Sequence, residues 1–119
     1  MRLLFFGTPD FAVPSLRAIH GAGHEIALVV TRPDARRGRG RKVSHPPVKR
    51  AAQNLELEVY QPSDVNAPVS VARLEQEQAQ IGVVVAYGQI LNSPVLSAPE
   101  RGLLNVHASL LPKYRGAAP

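Results

Sequence analysis

Apolar residues in this chain occur in short runs, and these runs alternate with stretches in which apolar residues recur at helical spacing. The short runs are rich in Ile, Leu and Val and predict buried β-strands, whereas the helical spacing predicts amphipathic helices. The predicted strands are residues 3–6, 25–30, 57–60, 81–86 and 103–106. The predicted helices are residues 11–22, 48–54 and 68–80, with a brief helical turn at residues 95–96.

Strands that alternate with helices at this spacing indicate right-handed βαβ units and a parallel sheet. We therefore predict an α/β, Rossmann-like parallel sheet with flanking helices, and a length of 119 residues fits one domain. In such sheets ligands bind beyond the carboxyl ends of the strands. Three segments follow predicted strands and would lie at that edge: residues 7–10, 87–89 and 105–112.

Composition excludes several kinds of site. The chain has no cysteine, so it has no disulfide, no thiol nucleophile and no cysteine-bound metal. His20, His24 and His45 lack the spacing of metal ligands, and we expect no metal site. The apolar run at residues 3–7 is too short for a signal peptide or a membrane segment. We expect a soluble, cytoplasmic protein with no membrane partner.

The positive charge of the chain is confined to one segment. The formal net charge is +5, but residues 32–50 hold eight basic residues and one acidic residue, and the remainder is slightly acidic. The stretch RRGRGRK (residues 36–42) combines arginines, which suit phosphate contacts, with glycines, which keep the backbone mobile. So long a connection between a strand and a helix is typical of a functional or disordered loop. We expect either a solvated surface or a phosphate-binding loop.

A polar pair, Asn105 and His107, ends the last apolar run. Residues two apart on a strand point to the same face, so both side chains would project together. Asn donates a hydrogen bond without titrating, whereas His can give or take a proton near neutral pH. The pair suits a carbonyl carbon that becomes tetrahedral, with negative charge on its oxygen. The alternative is a strand end whose Asn and His are satisfied by neighbouring backbone.

The turn after the first predicted strand does not resemble a dinucleotide site. It has a single glycine, Gly7, where the dinucleotide fingerprint needs several. Pro9 also lacks the backbone N–H that would donate to a phosphate. This leaves the segment either as a tight turn without a ligand or as part of the wall of a site.

Four stretches of the chain resemble the methionyl-tRNA formyltransferase family: FGTPDFAVPSL, RPDARRGRGRKVSHPPVK, VVVAYGQIL and LLNVHASLLPKYRGAAP. The Asn-x-His and SLLP elements are shared by folate-dependent formyltransferases generally, and the other elements are narrower. The resemblance covers nearly the whole chain. It implies a role in translation initiation, through transfer of a formyl group from 10-formyltetrahydrofolate to the α-amino group of initiator methionyl-tRNA.

The resemblance also implies roles for the matching residues. Asn105 would stabilise the oxygen of the tetrahedral intermediate, and His107 would assist proton movement. Folate contacts would come from Tyr87, Gly88, Gln89, Ile90, Leu91, Ser109, Leu110, Leu111 and Pro112. The acceptor end of the tRNA would be bound by Arg36, Arg37, Arg39, Arg41 and Lys42. No metal is implied.

Some features of the family are missing or altered. The 119 residues would be the N-terminal part of the formyltransferase catalytic domain, without the downstream Asp that orients His107 and without the C-terminal β-barrel domain. We expect this chain alone to be essentially inactive, and the complete protein to be a monomer. Gln80 stands where the family usually has an Asp, and Asn92 where a Pro is common.

Two other functions remain open from the sequence. A formyltransferase acting on an amino sugar or a small ribonucleotide would share the Asn-x-His and SLLP elements, although the basic segment argues against it. A non-catalytic RNA-binding module would display the arginines on an α/β scaffold. That interpretation leaves the joint presence of Asn105, His107 and SLLP unexplained.

Overall fold

The chain forms a five-stranded parallel sheet flanked by helices, and a separate two-stranded hairpin. The computed structural model describes residues 1–37 and 42–106, and gives only the backbone of Arg36 and Arg37. A 3₁₀ turn over Asp10–Ala12 precedes the first helix. In chain order the elements are β1 (Arg2–Gly7), α1 (Val13–Gly21), β2 (Glu25–Val30), β3 (Ala35–Arg37), β4 (Lys42–Ser44), α2 (Pro47–Asn54), β5 (Val59–Tyr60), α3 (Pro68–Gln76), β6 (Ile81–Val85), α4 (Ser93–Leu96) and β7 (Leu103–Asn105).

The order of strands in the sheet determines where a ligand site can form. The order is β5-β2-β1-β6-β7, and all neighbouring strands are parallel. The chain moves outward from β1 through β2 to β5, then returns across the sheet to β6 and β7. The strand order therefore reverses between β1 and β6, and open α/β sheets bind ligands in the crevice at this point. The predicted α/β, Rossmann-like fold is confirmed.

The central strands are buried on both faces. Along β1, Leu4 and Phe6 pack in a core cluster to which α3 and α4 contribute, whereas Phe5 packs in a second cluster with residues of α1 and α2. Successive side chains of a strand point to opposite faces, which explains the alternation. Burial of one such side chain contributes about 1.5–3 kcal/mol. The two clusters therefore fix the central strands, and with them the loops that follow β1 and β6.

Several element boundaries differ from the sequence expectation, and the hydrogen bonds and backbone angles explain two of these differences. The helix predicted over residues 68–80 ends at Gln76, because Gln78 has a φ of 51°, in the left-handed region that terminates helices. The strand predicted over residues 57–60 shortens to β5. The reason is that the Leu57 N–H donates to the Ala52 carbonyl of α2 (2.9 Å) and is not available to the sheet.

The basic segment contains regular structure, contrary to the expectation of a loop. β3 and β4 pair in antiparallel fashion, with Ala35 opposite Ser44 and Arg37 opposite Lys42. This pairing satisfies backbone groups that a loop would leave to water. The two strands form the base of what we call the basic hairpin (residues 35–44), and residues 38–41 lie outside the described part of the chain.

β7 is more exposed than its apolar sequence predicts. Leu104 is 55% exposed and Val106 is 37% exposed, so the expectation of a buried strand is wrong for this face. The strand is at the edge of the described sheet. Both side chains line an open apolar groove of about 420 Å³, together with Ile19 of α1 and Val83 of β6.

Candidate active site

A cavity of about 340 Å³ lies at the carboxyl ends of β6 and β7, beside the point where the strand order reverses. It brings Asn105 together with three of the residues that the sequence assigns to ligand contacts: Gln89, Ile90 and Leu91. The other residues of its wall are Val84, Leu96 and Leu103. The cavity thus combines apolar walls with two amide side chains.

Asn105 is positioned by the pairing of the two strands. It lies in register with Val84 of β6, and the next residue, Val106, donates its N–H to the Val84 carbonyl (2.8 Å). The Asn105 side chain is exposed. Its amide is therefore held at the end of a rigid strand and remains accessible to a ligand.

The loop between β6 and α4 (residues 86–92, the β6–α4 loop) forms one side of this cavity. Its backbone is unusual, because Ala86 has a φ of 52° and Gly88 a φ of 107°. For a non-glycine residue such as Ala86 the left-handed conformation costs about 1–2 kcal/mol. Backbone strain of this kind clusters at functional sites, where the surrounding structure enforces it.

Two side chains from other strands hold the start of the β6–α4 loop. The Thr8 hydroxyl, which follows β1, donates to the Tyr87 carbonyl at 2.6 Å. The Arg32 guanidinium, which follows β2, donates to the Gly88 carbonyl at 2.8 Å. These contacts bring the carboxyl ends of β1, β2 and β6 together at one point.

Two amide side chains connect the rest of the loop to the segment after β5. Gln89 donates to the Ser63 carbonyl (3.0 Å) and accepts from the Val65 N–H (3.2 Å). Asn66 donates to the Ile90 carbonyl and accepts from the Asn92 N–H, both at 2.8 Å. A proline at position 92 could not make the last contact, since it has no N–H. The loop is therefore braced along most of its length before any ligand arrives.

Tyr87 does not line the cavity: its carbonyl accepts from Thr8, and its ring packs in the core. The ring is 2% exposed and packs edge to face against Phe6, with 5.7 Å between ring centroids. Its hydroxyl has no hydrogen-bond partner among the described residues. Burial raises the pKa of this hydroxyl to about 12. Tyr87 therefore anchors the loop in the core.

The base of the basic hairpin is anchored by Asp34. This carboxylate accepts hydrogen bonds from Gln61 (2.8 Å) and Lys49 (2.9 Å), and it lies 3.0 Å from His45 Nδ1. The hydrogen bond from Gln61, and then those from Lys49 and His45, hold the pKa of Asp34 well below its usual range. Asp34 is therefore ionised at neutral pH. On β4, the Lys42 side chain is exposed.

A second cavity, of about 510 Å³, separates the first turn from the base of the hairpin. Thr8 and Arg32, which brace the β6–α4 loop, also line this cavity. The remaining wall consists of Pro9, Asp10, Pro33, Ala35, Ser44, His45, Pro46 and Pro47. The turn after β1 thus lines a cavity.

Several predicted site residues lie outside the described part of the chain: His107, Ser109, Leu110, Leu111, Pro112, Arg39 and Arg41. In contrast, sequence reasoning missed Arg32, Gln61 and Asn66 as parts of the site. Arg32 and Gln61 lie just after predicted strands, where ligand sites of parallel sheets form. Asn66 lies closer to the start of α3, and no sequence pattern marks it.

Residues 1–37 and 42–106 contain neither a metal-binding cluster nor a membrane-spanning helix. No group of three or more side chains there could hold a metal ion. No helix within these ranges is long and apolar enough to cross a membrane.

The reversal of strand order, with a cavity and braced loops beyond the strand ends, defines a Rossmann-like α/β domain with a candidate ligand site. Two solved structures share this fold. The chain superposes on phosphoribosylglycinamide formyltransferase from Bacillus halodurans with a TM-score of 0.66 and 22% identity, covering 98% of this chain and 61% of that one. For glycinamide ribonucleotide transformylase 1 from Geobacillus kaustophilus the TM-score is 0.62, with 20% identity, and coverage is 98% and 62%.

The sequence model of the formyl transferase family matches residues 1–119, and the chain belongs to this family. It is 55% identical to the methionyl-tRNA formyltransferase of Pelotomaculum thermopropionicum and 56% identical to that of Moorella thermoacetica, in both cases over 119 residues. All of this chain is covered, but it spans only 38% of the length of either relative. The resemblance seen in the sequence motifs is confirmed.

Proposed function

We propose that the full-length protein transfers a formyl group from 10-formyltetrahydrofolate to the α-amino group of methionine on initiator tRNA. The observation that carries the proposal is the cavity in which Asn105 meets the β6–α4 loop. The identity of 55–56% to two methionyl-tRNA formyltransferases supports the choice of acceptor.

The apolar walls of the cavity support a flat ring such as that of a folate. Ile90, Leu91 and Leu103 would supply apolar surface for the ring faces, and the backbone of the β6–α4 loop would supply groups for its hydrogen-bonding edge. Ligand pockets in proteins commonly combine apolar walls with a few fixed polar groups in this way. The bound folate supplies an activated formyl group. Tyr87, Gly88 and Gln89 would hold it through the loop, and residues 109–112 would add further contacts.

The chemistry assigned to the polar pair is addition of an amine to a formyl carbon. As the nitrogen attacks, negative charge develops on the formyl oxygen, and the Asn105 amide N–H would donate a hydrogen bond to it. The bond from the formyl carbon to the folate nitrogen then breaks, and the folate leaves. His107 would take the proton that the attacking nitrogen loses and pass it to the departing folate nitrogen. A positioned proton-transfer group typically contributes about 10²- to 10⁴-fold in rate.

The basic hairpin would bind the phosphates at the acceptor end of the tRNA. Arg36, Arg37, Arg39, Arg41 and Lys42 would supply the charge. The pairing of β3 with β4 supports this role, because it places Arg37 opposite Lys42. Contacts of this kind make affinity fall as salt rises. We further propose that these 119 residues are the N-terminal part of the catalytic domain of a cytoplasmic, monomeric enzyme with a C-terminal β-barrel domain.

The variant His107→Ala of the full-length gene product tests this function. If the protein is an enzyme of this kind, the variant should lose formyl transfer to methionyl-tRNA by at least about 10²-fold, because the proton acceptor is gone. Its affinity for methionyl-tRNA, measured by filter binding, should stay within about twofold of wild type. A wild-type protein that binds the tRNA but transfers no formyl group would instead identify an RNA-binding module.

A further inference from the structure

Arg32 occupies a junction between the two proposed substrate sites. It follows β2 and precedes the basic hairpin in the chain. Its backbone N–H donates to the Thr8 hydroxyl (3.3 Å), and its carbonyl accepts from the Gln61 side chain (3.1 Å). Gln61 also donates to Asp34, the anchor of the hairpin base. The backbone of Arg32 is therefore connected to the first turn and to the hairpin.

The Arg32 side chain points to the other substrate site. One guanidinium nitrogen lies 2.8 Å from the Gly88 carbonyl, to which it donates. The guanidinium also packs against Gly88, where an added Cβ would lie 3.1 Å from the same nitrogen. Gly88 has a φ of 107°, so this peptide adopts a conformation that most residues disfavour. A charged donor on its carbonyl stabilises that conformation.

We propose that Arg32 is a positioning residue for the formyl donor: it holds the β6–α4 loop in its binding shape and ties that loop to the base of the basic hairpin. By sequence Arg32 belongs to the basic segment (residues 32–50), for which the sequence leaves open a solvated surface or phosphate binding. Its hydrogen bond to the Gly88 carbonyl assigns it to the donor side. The inference rests on the proposed function, since it names the donor as the ligand of the loop.

The test compares steady-state kinetics of Arg32→Ala and Arg32→Lys in the full-length protein. Removal of this solvent-exposed hydrogen bond should raise the KM for 10-formyltetrahydrofolate about three- to tenfold in Arg32→Ala. The KM for methionyl-tRNA and the salt dependence of tRNA binding should not change. Lysine can still donate to the Gly88 carbonyl, so Arg32→Lys should recover most of the donor affinity.

Two further variants serve as controls. Arg17→Ala removes the same charge from an exposed position on α1, and should leave both KM values unchanged. Asn66→Ala removes another brace of the β6–α4 loop without changing charge, and should raise the donor KM alone. Together they separate the effect of charge from the effect of loop position.

The outcomes are distinct. A higher tRNA KM, with a log-log salt slope reduced by about 1 and an unchanged donor KM, would make Arg32 a phosphate contact and overturn the proposal. Unchanged kinetics in Arg32→Ala would overturn it as well. A wild-type protein that transfers no formyl group would contradict the proposed function itself.

A second measurement covers the case in which Arg32→Ala does not fold. Gly88→Ala would place a methyl group 3.1 Å from a guanidinium nitrogen of Arg32, and it would also strain the backbone, because Gly88 has a φ of 107°. We expect Gly88→Ala to raise the KM for the donor. We expect a smaller rise in the double variant that also carries Arg32→Lys, because the lysine ammonium is smaller than the guanidinium. Strictly additive effects of the two changes would argue against a contact between these residues.

Discussion

At the scale of single residues, Asn105 is the described side chain closest to the proposed chemistry. Asn105→Ala in the full-length protein should lower kcat by about 10²–10³, because removal of one oxyanion donor costs about 2.7–4 kcal/mol in the transition state. Single-turnover kinetics with saturating donor and tRNA would measure this directly. The matched control is Asn54→Ala, at the exposed end of α2, which should leave kcat unchanged. A kcat for Asn105→Ala within about threefold of wild type would contradict the assignment.

The Tyr87 hydroxyl gives a prediction about stability and pH. Its pKa is raised by burial to about 12, so the native state resists ionisation that the unfolded state undergoes near pH 10. The stability from this difference is present below about pH 10 and is lost as the pH rises towards 12. The loss amounts to as much as about 3 kcal/mol. Phenylalanine cannot ionise, so the variant Tyr87→Phe should not lose this stability at high pH.

Urea unfolding of wild type and Tyr87→Phe, at about pH 8 and about pH 11, measures the effect. At the lower pH the variant should be as stable as wild type or up to about 1 kcal/mol more stable, because it removes a buried hydroxyl without a partner among the described residues. A variant destabilised by more than about 1 kcal/mol at pH 8 would mean that the hydroxyl has a partner after all.

Residue roles were only partly predictable from the sequence. Asn105 could be identified because its neighbours mark a strand end, and a polar residue there is informative. Arg32 could not, because its partner Gly88 is 56 residues away in the chain. The sequence shows a basic residue among other basic residues. Only the folded structure distinguishes a side chain that braces a loop from one that faces solvent.

At the scale of elements, the basic hairpin makes its own prediction. Replacement of Arg36, Arg37 and Lys42 by Ala should weaken methionyl-tRNA binding and reduce the log-log salt slope by about 1 for each phosphate that the hairpin no longer neutralises. The donor KM should not change. Filter binding at several salt concentrations provides the measurement. Arg17→Ala is the control: it shows how much the salt slope changes when one positive charge is removed from an exposed position outside the hairpin. An unchanged salt slope in the triple variant would show that the hairpin does not contact phosphate.

The hairpin and β7 explain why local patterns did not predict every element. β3 and β4 carry little apolar sequence, and their regularity comes from pairing with each other. In β7 the pattern predicts a strand correctly but not its burial, because burial depends on what lies beside the sheet edge. Local periodicity identifies elements, whereas exposure and pairing are properties of the assembled fold.

At the scale of the whole molecule, the order of strands in the sheet determines where the candidate site lies. The five parallel strands and the α/β class followed from the alternation of apolar runs and helical spacing. The crevice between β1 and β6 followed only from the order β5-β2-β1-β6-β7, which no local pattern specifies. The chain spans 38% of the length of two relatives that are 55–56% identical to it, so tests of function belong in the full-length protein.

The most direct test of the central claim is an assay of the full-length gene product with 10-formyltetrahydrofolate and two acceptors, initiator methionyl-tRNA and glycinamide ribonucleotide. We predict formylated methionyl-tRNA, with kcat/KM in the range of about 10⁴–10⁸ M⁻¹s⁻¹ that is usual for enzymes, and no detectable formylation of the ribonucleotide. Preference for the ribonucleotide, or no transfer to either acceptor, would contradict the account.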